Sequence, residues 1–378
     1  MAFVNYYEIL EIAQPSDDDT IKKAIRKQRK EWRNRTAHPK AETRALAEKM
    51  TQHISDAEAV LLDPAKRADY NRQLAAQVNA PERPQQGGGS GRNWLEITRQ
   101  YLADGTPSRA NYAAREATQN SPGDPEAWYL RGVTSSMLDN VADAEFELSE
   151  ALRLDPNNAS YHCELADLYA SAEQWSRAQQ SYQRASDLEP GNPYYQVGVA
   201  TMHCAQERPD LALPTLEQSV AVNPQVELFR VHLAIALADN LTNQWSQFGD
   251  GSRSILNHAQ LELSKTTLQR IKSLNVTDPE LTEHLDEIDR VVGNADRVRW
   301  YSSDNLLVYA GGMLASLIAV FFLADPSTAL VGLVGLAGLI GIPALFVKRH
   351  HVAGWVWDSR NAPAYAKKTG LQPTIAVS

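Results

Sequence analysis

Residues 125–156, PEAWYLRGVTSSMLDNVADAEFELSEALRLDP, carry the marks of one structural unit: Trp128 near its start, Ala144 sixteen residues on, and Pro156 at its close. The same marks return every 34 residues. Trp94, Trp128, His162 and Gln196 open four units, Ala110, Ala144, Ala178 and Ala212 follow, and Pro122, Pro156, Pro190 and Pro224 close them. Between them come Thr98/Gly132/Ala166/Ala200 and Ala114/Leu148/Tyr182/Leu216, small where two helices must approach and mostly large where a gap must be filled. A fixed period of this length without insertions predicts an array of stacked helix pairs.

The period and its small/large pattern resemble the tetratricopeptide repeat over residues 91–240, as units 91–124, 125–158, 159–192 and 193–226 and a partial fifth, 227–240. The resemblance implies a superhelix whose concave groove holds another polypeptide. By the family's geometry the groove takes Leu95, Arg99 and Leu102 from the first unit, and Tyr129, Val133 and Met137 from the second. Cys163, Asp167 and Ala170 follow from the third, Tyr194, Val197 and Cys204 from the fourth, and Leu228, Val231 and Ile235 from the fifth. Family members that capture acidic chaperone tails use lysine and asparagine at the fifth and ninth positions. Neither stands there in this chain, and residues 91–240 contain no lysine. An apolar groove for a helix or an extended hydrophobic segment is therefore expected. The alternative is that neighbouring repeats or the chain's own downstream helix cover these side chains.

The net charge of −9 is uneven: +2 over residues 1–78, −11 over 91–240, −3 over 241–305 and +3 over 306–378. An acidic array argues against a nucleic-acid groove. Cys163 and Cys204 are the only cysteines and have no ligand spacing, which fits a reduced, cytosolic setting. No secretory signal is read at the start of the chain. No catalytic constellation, phosphate loop or metal spacing stands out, so no enzyme activity, metal or cofactor is expected.

At the front, NYYEIL (residues 5–10) leads into a basic helix from about Thr20 to Arg35. It carries Lys22, Lys23, Arg26, Lys27, Arg29, Lys30, Arg33 and Arg35 against Glu31 alone. A second helix, about Glu42 to Leu62, bears the apolar stripe Leu46, Met50, Ile54, Ala57 and Leu61. Together with IKKAIRK (21–27) and LLDPAKRADYNR (61–72), these stretches resemble the J domain of DnaJ-type co-chaperones. The resemblance implies docking of a DnaK-type chaperone on the basic helix. The family's His-Pro-Asp tripeptide is replaced by Arg33-Asn34-Arg35, and His38-Pro39-Lys40 five residues later lacks the acid. Otherwise the basic face is a solvated surface.

Residues 79–90, rich in Pro, Gln and Gly, read as a flexible linker that leaves the J-like module (1–78) free to move against the repeats. Residues 241–305 read as a loop and two capping helices, one over Ser254–Asn275 and one starting at Thr277-Asp278-Pro279-Glu280. Within 306–347, the apolar runs Leu306–Leu323 and Thr328–Val347 are separated by a short turn and predict a transmembrane helical hairpin. Gly311, Ala315 and Ala319 form a small face on one helix. Gly332, Gly335, Gly338 and Gly341 offer close approach on the other, for packing within the hairpin or for homo-oligomers. Arg297 and Arg299 before the hairpin and Lys348-Arg349 after it place both termini in the cytoplasm, at a bacterial plasma (inner) membrane. In the tail, 348–378, Trp355, Trp357 and Tyr365 read as headgroup-level aromatics.

The expected fold is all-α: J-like module, repeat superhelix with capping helices, and membrane hairpin. Two functions fit, a membrane-anchored scaffold that holds a polypeptide, or a co-chaperone that hands clients to a DnaK-type ATPase.

Overall fold

The computed structural model describes residues 4–37, 41–78, 93–248, 251–303, 305–324 and 327–362. The linker 79–90, His38-Pro39-Lys40, Asp325 and Tyr365 lie outside the described residues. The fold is all-α, apart from two short two-stranded ladders. Its contacts divide it into two compact units, Met1–Leu233 and Ala234–Ser378.

The first unit opens with four helices, α1 (Tyr6–Ile9), α2 (Asp18–Arg35), α3 (Ala41–Leu61) and α4 (Pro64–Val78). Asn5 and Asp17 cap α1 and α2 by accepting backbone N–H groups, and Asp63 does the same for the amides of Ala65 and Lys66. The helices close over Tyr7, Leu10, Ile21, Ile25, Trp32, Met50, Ile54, Ala57 and Leu61, all buried. Arg67 crosses to Asp18 at 2.9 Å and Arg29 to Glu58 at 2.6 Å, tying α4 to α2 and α2 to α3.

Eight helices then pair as expected from the period: α5 (Trp94–Ala103), α6 (Pro107–Asn120), α7 (Pro125–Ser136), α8 (Val141–Leu154), α9 (Ala159–Ser171), α10 (Trp175–Leu188), α11 (Pro193–Ala205) and α12 (Pro209–Val222). The turn inside each pair places one residue in the left-handed region, Gly105, Asp139, Glu173 and Glu207, with φ of 65°, 57°, 57° and 60°. Gly132 lets α7 and α8 meet, because a Cβ there would lie 2.7 Å from Leu148 Cγ. The residue that opens a repeat is explained by a hydrogen bond rather than by shape. Trp128 Nε1 donates to the Pro122 carbonyl at 2.9 Å, His162 Nε2 to Pro156 at 3.1 Å and Gln196 Nε2 to Pro190 at 2.9 Å. Tryptophan, histidine and glutamine are interchangeable there because each brings a side-chain N–H to the same carbonyl.

A fifth inner helix, α13 (Glu227–Asn243), carries the chain into the second unit and runs past the expected end of the repeats at residue 240. Where a loop was expected after α13, β1 (Ser246–Gln247) pairs antiparallel with β2 (Arg253–Ser254). The pair is anchored by the buried Gln260, whose amide bonds the Gln244 carbonyl and the Leu256 N–H at 2.9 Å each. Helices α14 (His258–Ser273) and α15 (Pro279–Asp296) follow, the latter capped by Asp278.

The apolar end consists of β3 (Val298–Trp300), α16 (Leu306–Val320), a 3-10 turn at Phe321–Ala324, α17 (Ala329–His350), β4 (His351–Ala353) and α18 (Gly354–Asn361). Two features differ from the expectation. Among the described residues only α17, at 22 residues, is long and apolar enough to cross a membrane, because the first run leaves α-helical geometry at Phe321 and α16 has 15 residues. The hairpin also packs on a different face of α16. Gly312, Ser316 and Ala319 meet α17, where a Cβ on Gly335 would lie 2.7 Å from Ala319 Cβ and one on Gly338 would strike Ser316. Gly311 and Ala315 are exposed, nothing stands within 4 Å of a Cβ on Gly311 or Gly341, and Gly332 is buried. Of the tail aromatics, Trp357 stacks on Tyr301 at 4.5 Å and Trp355 meets His258 edge-on at 6.1 Å; beside them, Trp300 of β3 stacks on His351 of β4 at 4.7 Å.

Candidate groove and the segment seated in it

The inner helices α5, α7, α9 and α11 turn the second, fifth and ninth positions of the period to one side. There the structure brings together Arg99, Tyr129, Val133, Asp167 and Tyr194 with one residue that the period did not single out, Glu164. Tyr129 stacks on Tyr161 with ring centroids 4.9 Å apart, and the Tyr161 hydroxyl donates to Glu126 at 3.1 Å. Tyr182 from α10 donates a short hydrogen bond to Asp167. Cys163, Met137, Val197 and Val231 are buried. Leu95 is half-buried, and Ile235 falls in the second unit rather than with the groove residues of the first.

The J-like module's own α2 ends in this groove. Arg35 is 3% exposed and lies with Nη1 2.9 Å from Glu164, which is 1% exposed. Its guanidinium sits 5.1 Å from the centre of the Trp32 ring, and Glu31 lies 3.7 Å away. One residue earlier, the Asn34 carbonyl accepts a 2.6 Å hydrogen bond from the Tyr194 hydroxyl. Flanking contacts support the seating: Ser108 Oγ donates to Glu8 at 2.6 Å, Thr43 Oγ1 meets the Tyr129 hydroxyl at 3.5 Å, and Lys27 approaches Asp139 at 3.9 Å. The expectation of a freely moving module is thereby corrected. A buried guanidinium needs its carboxylate, and that carboxylate is on the repeats.

Electrostatics follow from this burial. Burial alone would lower the affinity of the Arg35 guanidinium for its proton, but Glu164, Glu31 and Asp167 outweigh that and hold its pKa above the ordinary value. The Asp167 carboxyl is pushed up to about 7, chiefly by burial and further by Glu164, with Arg35 opposing. Its Oδ2 is buried without a hydrogen-bond partner. The groove is thus not uniformly apolar. Its apolar part is a cavity of about 300 Å³ between module and repeats, walled by Thr43, Leu46, Lys49, Leu102, Tyr129 and Val133. Toward the third and fourth repeats it is aromatic and acidic.

The basic face of α2 divides. Lys22, Lys23, Arg26, Lys27 and Lys30 are exposed, Arg29 and Arg33 are half-buried, and Arg35 is buried in the groove. Glu164 was missed because it neighbours Cys163 at a position filled by Leu130 and Gly198 in adjacent units. Glu96 stands at the same place in the first unit, so the period gave no signal that set Glu164 apart; only its burial does.

Residues 5–71 match the DnaJ domain family, and residues 98–159 and 163–225 match the tetratricopeptide repeat. Among curated proteins, chaperone protein DnaJ of Enterococcus faecalis is 39% identical over 87 residues, 23% of this chain and 20% of that protein. DnaJ homolog subfamily B member 2 of Mus musculus is 33% identical over 115 residues, 27% of this chain and 34% of that one. The chain therefore spans about a fifth of the length of the DnaJ proteins it matches. Among solved structures, a thermophilic TPR protein of Thermus thermophilus aligns with 16% identity and a TM-score of 0.38, covering 52% of this chain and 98% of its own. The pilF protein of Pseudomonas aeruginosa aligns with 14% identity and a TM-score of 0.41, covering 60% and 90%.

Proposed function

We propose that this chain, which carries an N-terminal DnaJ domain followed by tetratricopeptide repeats, is a membrane-anchored, non-enzymatic adaptor whose repeat groove holds a polypeptide. The observation that carries the reading is the occupied groove. Tyr194 grips a main-chain carbonyl and Glu164 an arginine, which is how a concave surface holds a peptide rather than a small metabolite. The anchor is the α16–α17 hairpin, crossing twice with both termini in the cytoplasm at a bacterial inner membrane. Supporting it are the 22 apolar-dominated residues of α17 and the outward exposure of Leu307, Phe321 and Leu330, at 87%, 79% and 75%. A photo-crosslinking residue at Val133, introduced into the full chain in native membranes, should capture a second polypeptide, whereas one at Glu145 on the outer face should not. Capture at neither position would remove the reading.

The exposed Lys22, Lys23, Arg26, Lys27 and Lys30 favour a second reading, in which the module engages a DnaK-type chaperone and the chain delivers clients to it. Arg33-Asn34-Arg35 stands where that activity needs its tripeptide, and Arg35 is buried in the groove. The full chain should leave the chaperone's single-turnover ATPase rate at its basal value. Several-fold stimulation, lost on charge reversal of Lys22 and Arg26, would establish the second reading instead.

A further inference from the structure

We infer that the groove is specific for arginine: its partner is a polypeptide segment that places one arginine against Glu164 and Asp167 of α9, and Asn34–Arg35 is an internal stand-in for that segment. This rests on the reading of the groove as a polypeptide holder and names the chemistry of the polypeptide.

Glu164 and Asp167 lie one helical turn apart, so their carboxylates share a face. Two carboxylates buried together, one of them almost wholly inaccessible, are costly unless a cation joins them. The repeats supply no lysine for the purpose, and the cation present comes from another module. A guanidinium suits the site better than an ammonium. It is planar and carries five donors, so one group can reach two carboxylates on one helix face. The Tyr194 hydroxyl donates to the carbonyl of the residue before the arginine, a contact any sequence can make. The site therefore specifies one guanidinium and one preceding carbonyl.

The internal occupant leaves part of the site unused. Asp167 Oδ2 is buried without a donor while Arg35 is paired to Glu164. An arginine arriving on a separate chain, free of the path that α2 imposes, can serve both carboxylates. Release of the module is then coupled to capture of the partner, because the two compete for the same pair of acids.

The test uses the detergent-solubilised full chain and a fluorescent peptide of residues 28–37, QRKEWRNRTA, followed by anisotropy. Freeing the site with Arg35→Ala should tighten peptide binding at least tenfold over the unsubstituted chain. Replacing the peptide's last arginine, the one matching Arg35, by lysine or citrulline, or adding Glu164→Gln to the protein, should undo that gain. Should Arg35→Ala disturb folding, excess peptide added to the unsubstituted chain should speed hydrogen exchange at the C-terminal end of α2. Equal binding of arginine and citrulline peptides, or no change in exchange, overturns the inference. So does a mass that doubles in light scattering on release of the module, which would make the occupant a second copy of this chain. If Val133 still captures a polypeptide while the arginine peptide fails, the holder survives and its specificity falls; failure of both removes both.

Discussion

Arg35 of the J-like module and Glu164 of the third repeat form a buried ion pair with nitrogen and oxygen 2.9 Å apart, side chains 3% and 1% exposed. Stranding one member of such a pair is costly, because the other keeps its desolvation penalty. Glu164→Ala and Arg35→Ala are each expected to destabilise the first unit by about 3 kcal/mol. The double change should cost less than their sum by more than about 1 kcal/mol, since the partners are in contact. Urea titrations of the four forms provide the cycle, and simple additivity would show that the pair is not coupled.

Asp167 gives the first unit a pH dependence of definite sign. Its carboxyl is pushed up to about 7 from an ordinary 3.8. Facing it are Arg35 and Glu31 from α2, Glu164 and Cys163 from its own helix, Tyr182 from α10 and Tyr194 from α11. Between those two values the folded chain holds a proton that the unfolded chain has released. The group's contribution is therefore fully present below about pH 4 and lost as the pH rises through about 7. The urea midpoint should fall between about pH 5 and 7.5, and Asp167→Asn should flatten that fall. An unchanged slope in the variant would assign the dependence to other groups.

In the second, third and fourth repeats the opening residue donates a side-chain N–H to the proline carbonyl six residues before it, so another donor of similar reach is expected to serve there. His162→Gln should be nearly neutral, because the amide replaces the imidazole donor to the Pro156 carbonyl. His162→Leu should cost about 1 kcal/mol, the usual net worth of one hydrogen bond. Equal stability of the two variants would reduce the repeated bond to a bystander.

The hairpin reading leads to two labelling outcomes. A membrane-impermeant thiol reagent outside intact cells should reach a cysteine placed at Asp325 and fail to reach one at Lys367. Labelling at both would mean a single span, and at neither a hairpin that does not cross.

The sequence alone determined the repeat array, the front module and the apolar end. Each is written in constraints acting within a few turns of helix: Gly132 against Leu148, a donor six residues after its proline carbonyl, an unbroken apolar run. Such constraints recur with the period and are visible to anyone who counts. Only tertiary structure decided what fills the groove, because Arg35 and Glu164 are far apart along the chain and belong to separate periodic patterns. Neither pattern states the distance between them, and in sequence Arg35 is one more cation on a basic helix. The hairpin's packing face was set in the same way. Gly311 and Gly312 are adjacent in sequence, yet about 100° apart around a helix, and it is the fit of Ser316 and Ala319 against Gly335 and Gly338 that turns the second inward. Composition fixed which segments bury apolar surface; the rotation of each helix, and the partner of each buried charge, follow from packing that only the assembled chain supplies.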